Sequence, residues 1–273
     1  MEFSKYHGLG NDFILIDNRH QEELCVPPDR VQRLCDRHFG IGADGIIFLL
    51  QDGAQNYRMR IINSDGSEPE MCGNGIRCLA KFMQDLAIPA SGNQYSIQTV
   101  AGVMLVGIQD QLITVDMGQP RLLAAEIPTT LGLPDRQVIN IPLEIEDRHW
   151  QVTCVSMGNP HCITFVEDVE GIDLGAIGPK FEHHPSFPKR VNVEFVQVID
   201  RSHVKMRVWE RGAGITLACG TGACAVVVAG VLNDRTDRVC RVELPGGSLD
   251  IRWEDHVFMT GSAERVFKGE VEF

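Results

Sequence analysis

The sequence has no C-x-x-C pair, no long apolar run and no excess of basic residues. Each absence removes a class of function. Its nine cysteines, at positions 25, 35, 72, 78, 154, 162, 219, 224 and 240, are odd in number and irregularly spaced. Without C-x-x-C, neither a zinc knuckle nor a thioredoxin-like redox motif is expected, and no metal site is assigned. No apolar stretch approaches the roughly 20 residues of a membrane span. With 25 Lys and Arg against 37 Asp and Glu, for a formal net charge of −12, the chain lacks the basic surface that a nucleic-acid partner demands. Met1-Glu2-Phe3-Ser4-Lys5-Tyr6 enters strand-like sequence at once, with no signal or transit peptide. The expectation is a cytoplasmic protein, without membrane or nucleic-acid partner, whose cysteines remain thiols in a reducing compartment.

What is present is an ordinary soluble composition, 44% hydrophobic and 23% charged over 273 residues, long enough for two domains. One short pattern occurs twice. It reads Met71-Cys72-Gly73-Asn74-Gly75 in the first half and Ala218-Cys219-Gly220-Thr221-Gly222 in the second. Each copy leads into a helix-like stretch. A Cys-Gly-x-Gly turn at a helix start places a thiol among backbone N–H groups and the positive end of the helix dipole. That position lowers a thiol pKa and also binds carboxylates. Cys78 and Cys224, inside the helical stretches, read as small buried hydrophobes, and so by default do Cys25, Cys35, Cys154, Cys162 and Cys240.

The repeat extends beyond the cysteines. Met59-Arg60 lies thirteen residues before Cys72, as Met206-Arg207 does before Cys219. Gly10-Asn11 recurs as Gly158-Asn159, 148 residues on, against 147 for the cysteines. Gly102–Gly118 and Gly247–Gly261 both read as β-hairpins around polar turns, Gln109-Asp110-Gln111 and Glu254-Asp255-His256. Two homologous halves follow, joined near Gly118-Gln119-Pro120-Arg121. Residues 13–16, 46–50 and 57–62 read as strands, and Pro27–His38 as a helix with Val31, Leu34, Cys35 and His38 on one face. The stretch after Cys72 is an amphipathic helix whose Lys81 reaches solvent. The stretch after Cys219, Ala223 to Leu232, is apolar on all sides and must be wrapped by other elements. The expected fold is α/β (α+β): two domains, each a curved, mostly antiparallel sheet around a central helix, with the active site in the cleft between them.

Two such thiols facing one substrate make a pair of bases. A carboxylate held by the helix-start N–H groups keeps its α-carbon between the sulfurs. One thiolate removes the α-proton while the opposite thiol returns a proton to the other face, inverting the carbon without redox change. The same N–H groups stabilise the enolate-like charge. The two thiols titrate as a coupled pair.

Quoted as they stand, H-G-L-G-N-D-F (7–13), N-S-D-G-S-E (63–68), M-C-G-N-G-I-R-C (71–78), S-M-G-N-P-H-C (156–162), E-R-G-A-G (210–214), A-C-G-T-G-A-C (218–224) and V-E-L-P-G-G (242–247) resemble the diaminopimelate epimerase family end to end. The resemblance implies a cofactor-independent epimerase interconverting LL- and meso-diaminopimelate for lysine and peptidoglycan synthesis. It also implies a homodimer whose C-terminal strand returns to the first domain. The halves are then residues 1–117 with 262–273, and residues 118–261. By the resemblance, Cys72 and Cys219 are the acid/base pair, and Gly73, Asn74, Gly220 and Thr221 form the carboxylate-binding turns. Asn11, Asn63, Asn159, Asn192, Glu210 and Arg211 supply the remaining substrate contacts, and His161 and Glu210 tune the cysteines. One departure is visible: several family members have a glutamine contact where this chain has Gly45, so the Asp44-Gly45 turn offers backbone only. Asn192 falls 147 residues after Gly45, the repeat offset.

Plainer readings stand beside these. Asn11 and Asn159, each after a glycine, read equally as left-handed turn residues. Asn63 reads also as the start of an Asx-turn through Asp65-Gly66. Glu210-Arg211 alone would be a solvated pair, and His161 alone a packed histidine. His183, His184 and His203 are assigned no role. Three alternative functions are a proline or hydroxyproline racemase, a thiol redox protein cycling through a Cys72–Cys219 disulfide, and a carboxylate-binding protein without catalysis. Arg211, able to grip a carboxylate through two parallel hydrogen bonds, favours a long substrate charged at both ends over a compact imino acid.

Overall fold

The computed structural model describes residues 1–21, 26–53, 56–69 and 71–272. Cys25 lies outside the described residues. The chain divides into two compact units, Met1–Val115 with Thr260–Phe273, and Asp116–Met259. The first contains β1 (Glu2–Gly8), β2 (Asn11–Asp17), α1 (Pro28–Cys35), β3 (Gly45–Asp52), β4 (Asn56–Asn63), α2 (Gly73–Asp85), β5 (Gln94–Thr99), β6 (Gly102–Gln109) and β7 (Leu112–Asp116). The second contains β8 (Ile141–Ile145), β9 (Arg148–Ser156), β10 (Pro160–Phe165), α3 (Leu174–Glu182), β11 (Asn192–Asp200), β12 (His203–Glu210), β13 (Gly214–Ile215), α4 (Gly220–Leu232), β14 (Val239–Leu244), β15 (Gly247–Trp253) and the first half of β16 (Val257–Ser262). The last strand, β17 (Glu264–Glu270), pairs antiparallel with β1 in the first unit.

Strand pairing repeats from unit to unit. In the first, β1–β2 is antiparallel, β2–β3 parallel, β3–β4 antiparallel, β4–β5 parallel and β5–β6 antiparallel. In the second, β9–β10, β10–β11, β11–β12, β12–β14 and β14–β15 follow the same order of senses. The parallel connections carry helices, as crossovers between parallel strands require: α1 and α3 at the first, α2 and α4 at the second. The mixed α/β class and the duplication read from the sequence are both present.

Each central helix is enclosed by strands of its own unit. Helix α2 packs against β1, β2, β3, β4, β6 and β17, and α4 against β9, β10, β11, β14 and β15. Every residue from Gly222 to Gly230 is buried, which is why α4 has no polar face. On α2 only one edge reaches outward, where Lys81 pairs with Asp85 at 3.2 Å. Cys78 and Cys224 are fully buried within these helices, and Cys35, Cys154, Cys162 and Cys240 are buried elsewhere.

Three local expectations change. Helix α1 stops at Cys35 rather than His38, because the Asp36 carboxylate accepts the N–H groups of His38 and Phe39 at 2.7 Å each and turns the chain outward. Val31, Leu34 and Cys35 are buried as read, but His38 is exposed. Gly45 is not in a turn: it opens β3, paired with Phe13 on one side and Asn63 on the other. A Cβ there would stand 2.8 Å from the Ile62 carbonyl oxygen, so close strand approach accounts for the glycine. The left-handed conformations lie at Gly10 (φ 84°) and Gly158 (φ 98°), not at the asparagines that follow them.

Candidate active site

Each unit carries half of the expected constellation, and each half is built the same way. Cys72 caps α2 with extended backbone (φ −134°, ψ 112°), and its sulfur accepts the Gly75 N–H at 3.3 Å. Cys219 caps α4 with nearly the same backbone (φ −124°, ψ 107°). First-turn N–H groups of a helix have no intrahelical acceptor, so both turns offer donors of the kind an anion uses. The strand residue entering each half supplies an asparagine. Asn11 Oδ1 lies 3.8 Å from the Cys72 sulfur and accepts Asn74 Nδ2 at 3.2 Å. In the second unit, Asn159 Nδ2 donates to Thr221 Oγ1 at 3.2 Å, and that hydroxyl lies 3.7 Å from the Cys219 sulfur.

The supports beneath the two asparagines differ. Asn11 Nδ2 donates to Asp44 Oδ2 at 2.6 Å. Asp44 and Asp12 share Arg37, and Asp12 also pairs with the buried Lys5 at 2.6 Å. Asn159 Oδ1 instead accepts from His161 Nε2 at 3.0 Å, and His161 Nδ1 stands 2.6 Å from Glu194 Oε1. His161 and Glu194 are fully buried.

The second thiol departs from the lowered pKa that a helix start alone confers. Burial pushes the Cys219 pKa well above the ordinary thiol value, and the carboxylates of Glu210 and Glu194 push it further in the same direction. The Thr221 hydroxyl and Gly222 N–H oppose them without reversing the shift. Burial likewise raises Glu210, against hydrogen bonds from the Thr216 hydroxyl and the Cys219 thiol.

The remaining expected residues have identifiable partners. Asn74 Oδ1 and the Gly73 carbonyl accept from the buried Arg77 at 3.0 and 3.1 Å, which shapes the turn at the start of α2. Asn63 ends β4, where its Nδ2 donates to Ser67 Oγ at 3.0 Å and its carbonyl accepts the Gly66 N–H, so its backbone opens a turn. The Asx contact within that turn belongs to Asp65, which accepts the Ser67 N–H. Asn192 is buried, and its side chain joins the Pro160 carbonyl to the Arg211 N–H, both at 2.9 Å. It staples β10 to the Arg211 loop. The Arg211 side chain is exposed, with one bond to the Lys189 carbonyl at 3.3 Å. Glu182 secures the same loop by accepting Trp209 Nε1 at 2.7 Å and Gly212 N–H at 2.9 Å.

Sequence reading missed Glu194, Arg77, Asp44 and Glu182. Glu194 had a signal, a lone acid in the apolar strand Val193-Glu194-Phe195-Val196. Arg77 had one too, at helical spacing from Gly73 and Asn74. Among the described residues no group of His, Cys, Asp or Glu is placed to hold a metal ion.

Two sets of strands with the same order of pairing, each around a helix capped by cysteine, define the class: a duplicated α/β fold with a thiol at each central helix start. Solved structures share this fold at low identity. A phenazine biosynthesis protein of the PhzF family from Bacillus anthracis aligns with TM-score 0.69 at 16% identity, over 100% of this chain and 99% of its own. A hydroxyproline epimerase from Agrobacterium vitis aligns with TM-score 0.69 at 13% identity, over 98% and 91%. The chain belongs to the diaminopimelate epimerase family, whose model matches residues 3–123 and 153–266. Relatives named diaminopimelate epimerase 1 in Nostoc sp. PCC 7120 and diaminopimelate epimerase in Synechocystis sp. PCC 6803 are 62% and 60% identical. The first covers 99% of both chains, and the second 100% of this one and 99% of its own.

Proposed function

We propose that this chain is a cofactor-independent isomerase that interconverts LL- and meso-diaminopimelate, serving lysine and peptidoglycan precursor synthesis. The observation that carries this reading is the 62% identity over 99% of both chains to a named diaminopimelate epimerase. The cysteine cap on the central helix of each unit gives that identity a chemical meaning. In this mechanism the substrate α-carboxylate rests on the N–H groups of the turns at Gly73-Asn74 and Gly220-Thr221. Cys72 and Cys219 work on opposite faces of the α-carbon. One, as thiolate, takes the α-proton; the other, as thiol, gives one back, and the N–H groups carry the enolate-like charge between the steps. Arg211, with Asn11, Asn63, Asn159, Asn192 and Glu210, recognises the polar ends of the substrate, while His161 and Glu210 tune the thiols.

No described helix is long and apolar enough to cross a membrane, which agrees with a cytoplasmic enzyme. A homodimer is the proposed assembly. Exposed Val103, Leu105, Val266 and Phe267 in the first unit support it, and light scattering at about twice the chain mass checks it.

The deciding experiment is incubation with LL-diaminopimelate in heavy water, following α-deuterium and the isomer ratio together. Deuterium entering as the isomers equilibrate is the expected result. Activity on proline with none on diaminopimelate, or isomerisation without solvent deuterium, overturns the proposal.

A further inference from the structure

The buried Glu194 has no part in the mechanism above. It is fully enclosed, with Oε1 2.6 Å from His161 Nδ1 and Oε2 without a hydrogen-bond partner among the described residues. Burying an ionisable pair costs stability unless something is gained elsewhere. The internal repeat supplies a control for what the fold needs at these positions. Phe13 pairs with Gly45 as His161 pairs with Asn192, so Phe13 stands where His161 does. Two residues further along each strand, Ile47 stands where Glu194 does. The central glycines agree: a Cβ on Gly75 would meet Ile47 Cδ1 at 3.0 Å, and one on Gly222 would meet Glu194 Oε1 at 2.7 Å. The same architecture is therefore built with Phe and Ile in one unit and with His and Glu in the other.

The hydrogen bonds have a direction. Asn159 Nδ2 faces Thr221 Oγ1, so Asn159 Oδ1 faces His161 Nε2, and that nitrogen must carry a proton. His161 Nδ1 then faces a carboxylate oxygen at 2.6 Å, a distance that requires a proton between them. The Thr221 hydroxyl, accepting from Asn159 through one lone pair, keeps its hydrogen free to point at the Cys219 sulfur, 3.7 Å away. Were Nε2 bare, the Asn159 amide would turn over and accept from Thr221, and the sulfur would lose that donor.

We propose that Glu194 is a positioning residue of the epimerase: as the buried counter-anion of a doubly protonated His161, it fixes the Asn159 amide and so aims the Thr221 hydroxyl at the Cys219 sulfur. This rests on the proposed reaction, in which Cys219 passes between thiol and thiolate. Glutamine at position 194 keeps the shape but accepts or donates equally well, so it no longer selects the direction of the chain of hydrogen bonds.

Nitrogen-15 histidine NMR on the wild-type protein reads the arrangement directly. The expected spectrum has both His161 nitrogens protonated and a downfield Nδ1 proton that is absent in Glu194→Gln. A bare Nε2 in the wild type overturns the proposal whatever the variants do. In turnover, Glu194→Gln lowers kcat by about ten- to a hundredfold, the scale of lost outer-shell partners, with KM changed less than about threefold. Wild-type kcat with an unchanged pH profile overturns the proposal. The double change His161→Phe with Glu194→Ile installs the first unit's own residues. It is expected to melt at or above the wild-type temperature and to be inactive. Turnover in that variant, or its unfolding, assigns the pair no positioning role. Wild-type turnover of LL-diaminopimelate is measured separately. Its absence overturns the proposed reaction, whereas the NMR spectrum bears on the hydrogen-bond chain alone.

Discussion

The two helix starts share a motif but rest on different floors, and one methyl group tells them apart. In Gly75→Ala the new Cβ meets Ile47 Cδ1 at 3.0 Å, Met59 Cε at 3.2 Å and Cys72 Cβ at 3.4 Å. The two nearest are ends of flexible apolar side chains, which move by a few tenths of an ångström at little cost. In Gly222→Ala the Cβ meets Glu194 Oε1 at 2.7 Å and the Cys219 sulfur at 3.1 Å. The carboxylate is held by its bond to His161 and the sulfur by its capping position. Alanine gains roughly 0.5–1 kcal/mol over glycine inside a helix, and overpacking a filled core costs about 1–3 kcal/mol. For Gly75→Ala the two nearly cancel. For Gly222→Ala a net loss of about 1–2 kcal/mol remains, roughly 2–6 °C in Tm for a protein of this size. Scanning calorimetry with diaminopimelate epimerisation checks both. Gly75→Ala should keep its Tm within about 2 °C and most of its turnover, while Gly222→Ala loses both. Equal behaviour of the two variants would refute the claim that the floors differ.

Cys72→Ala and Cys219→Ala should each abolish epimerisation in both directions, read by chiral separation of product; residual interconversion in either rules out the two-base mechanism. Asp12 is pushed up by burial, but hydrogen bonds from Arg37 and Lys5 outweigh this and bring it down to about 2. A carboxylate depressed in the folded state stabilises above its unfolded value of 3.8 and loses that contribution as pH falls through 2. Asp12→Asn should therefore cost about 1–2 kcal/mol at neutral pH, after solvent screening, and flatten the fall of Tm between about pH 4 and 2. An unchanged acid limb contradicts the pairing. Arg77→Leu removes a buried guanidinium from the Gly73 carbonyl and Asn74 Oδ1, with an expected loss of about 3 kcal/mol. It should also raise KM, since Asn74 then loses one of its supports. Wild-type KM in a folded Arg77→Leu shows that the turn holds without it.

Much of the architecture was legible because a repeat reveals itself by spacing. The constant offset of the cysteines and the apolar character of Ala223 to Leu232 were enough to expect two enclosed helices, each with a thiol at its start. The end of α1 was not legible, since Asp36 competes for backbone N–H groups only once the chain has turned there. Gly45 was misread for a similar reason: the Ile62 carbonyl that excludes a side chain lies on a neighbouring strand. The bonds from the Asn192 side chain to the Pro160 carbonyl and the Arg211 N–H were equally hidden, because both partners lie on other segments of the unit.

The sequence by itself determined the duplication, the two thiols at helix starts and the chemistry such thiols perform, because motif, spacing and apolar periodicity are local properties of a chain. Only the tertiary structure decided that the two starts are unequal. Phe13 and Ile47 underlie one, and His161 and Glu194 the other. That difference depends on which residues meet across parallel strands, and strand register is set by packing between segments some thirty residues apart.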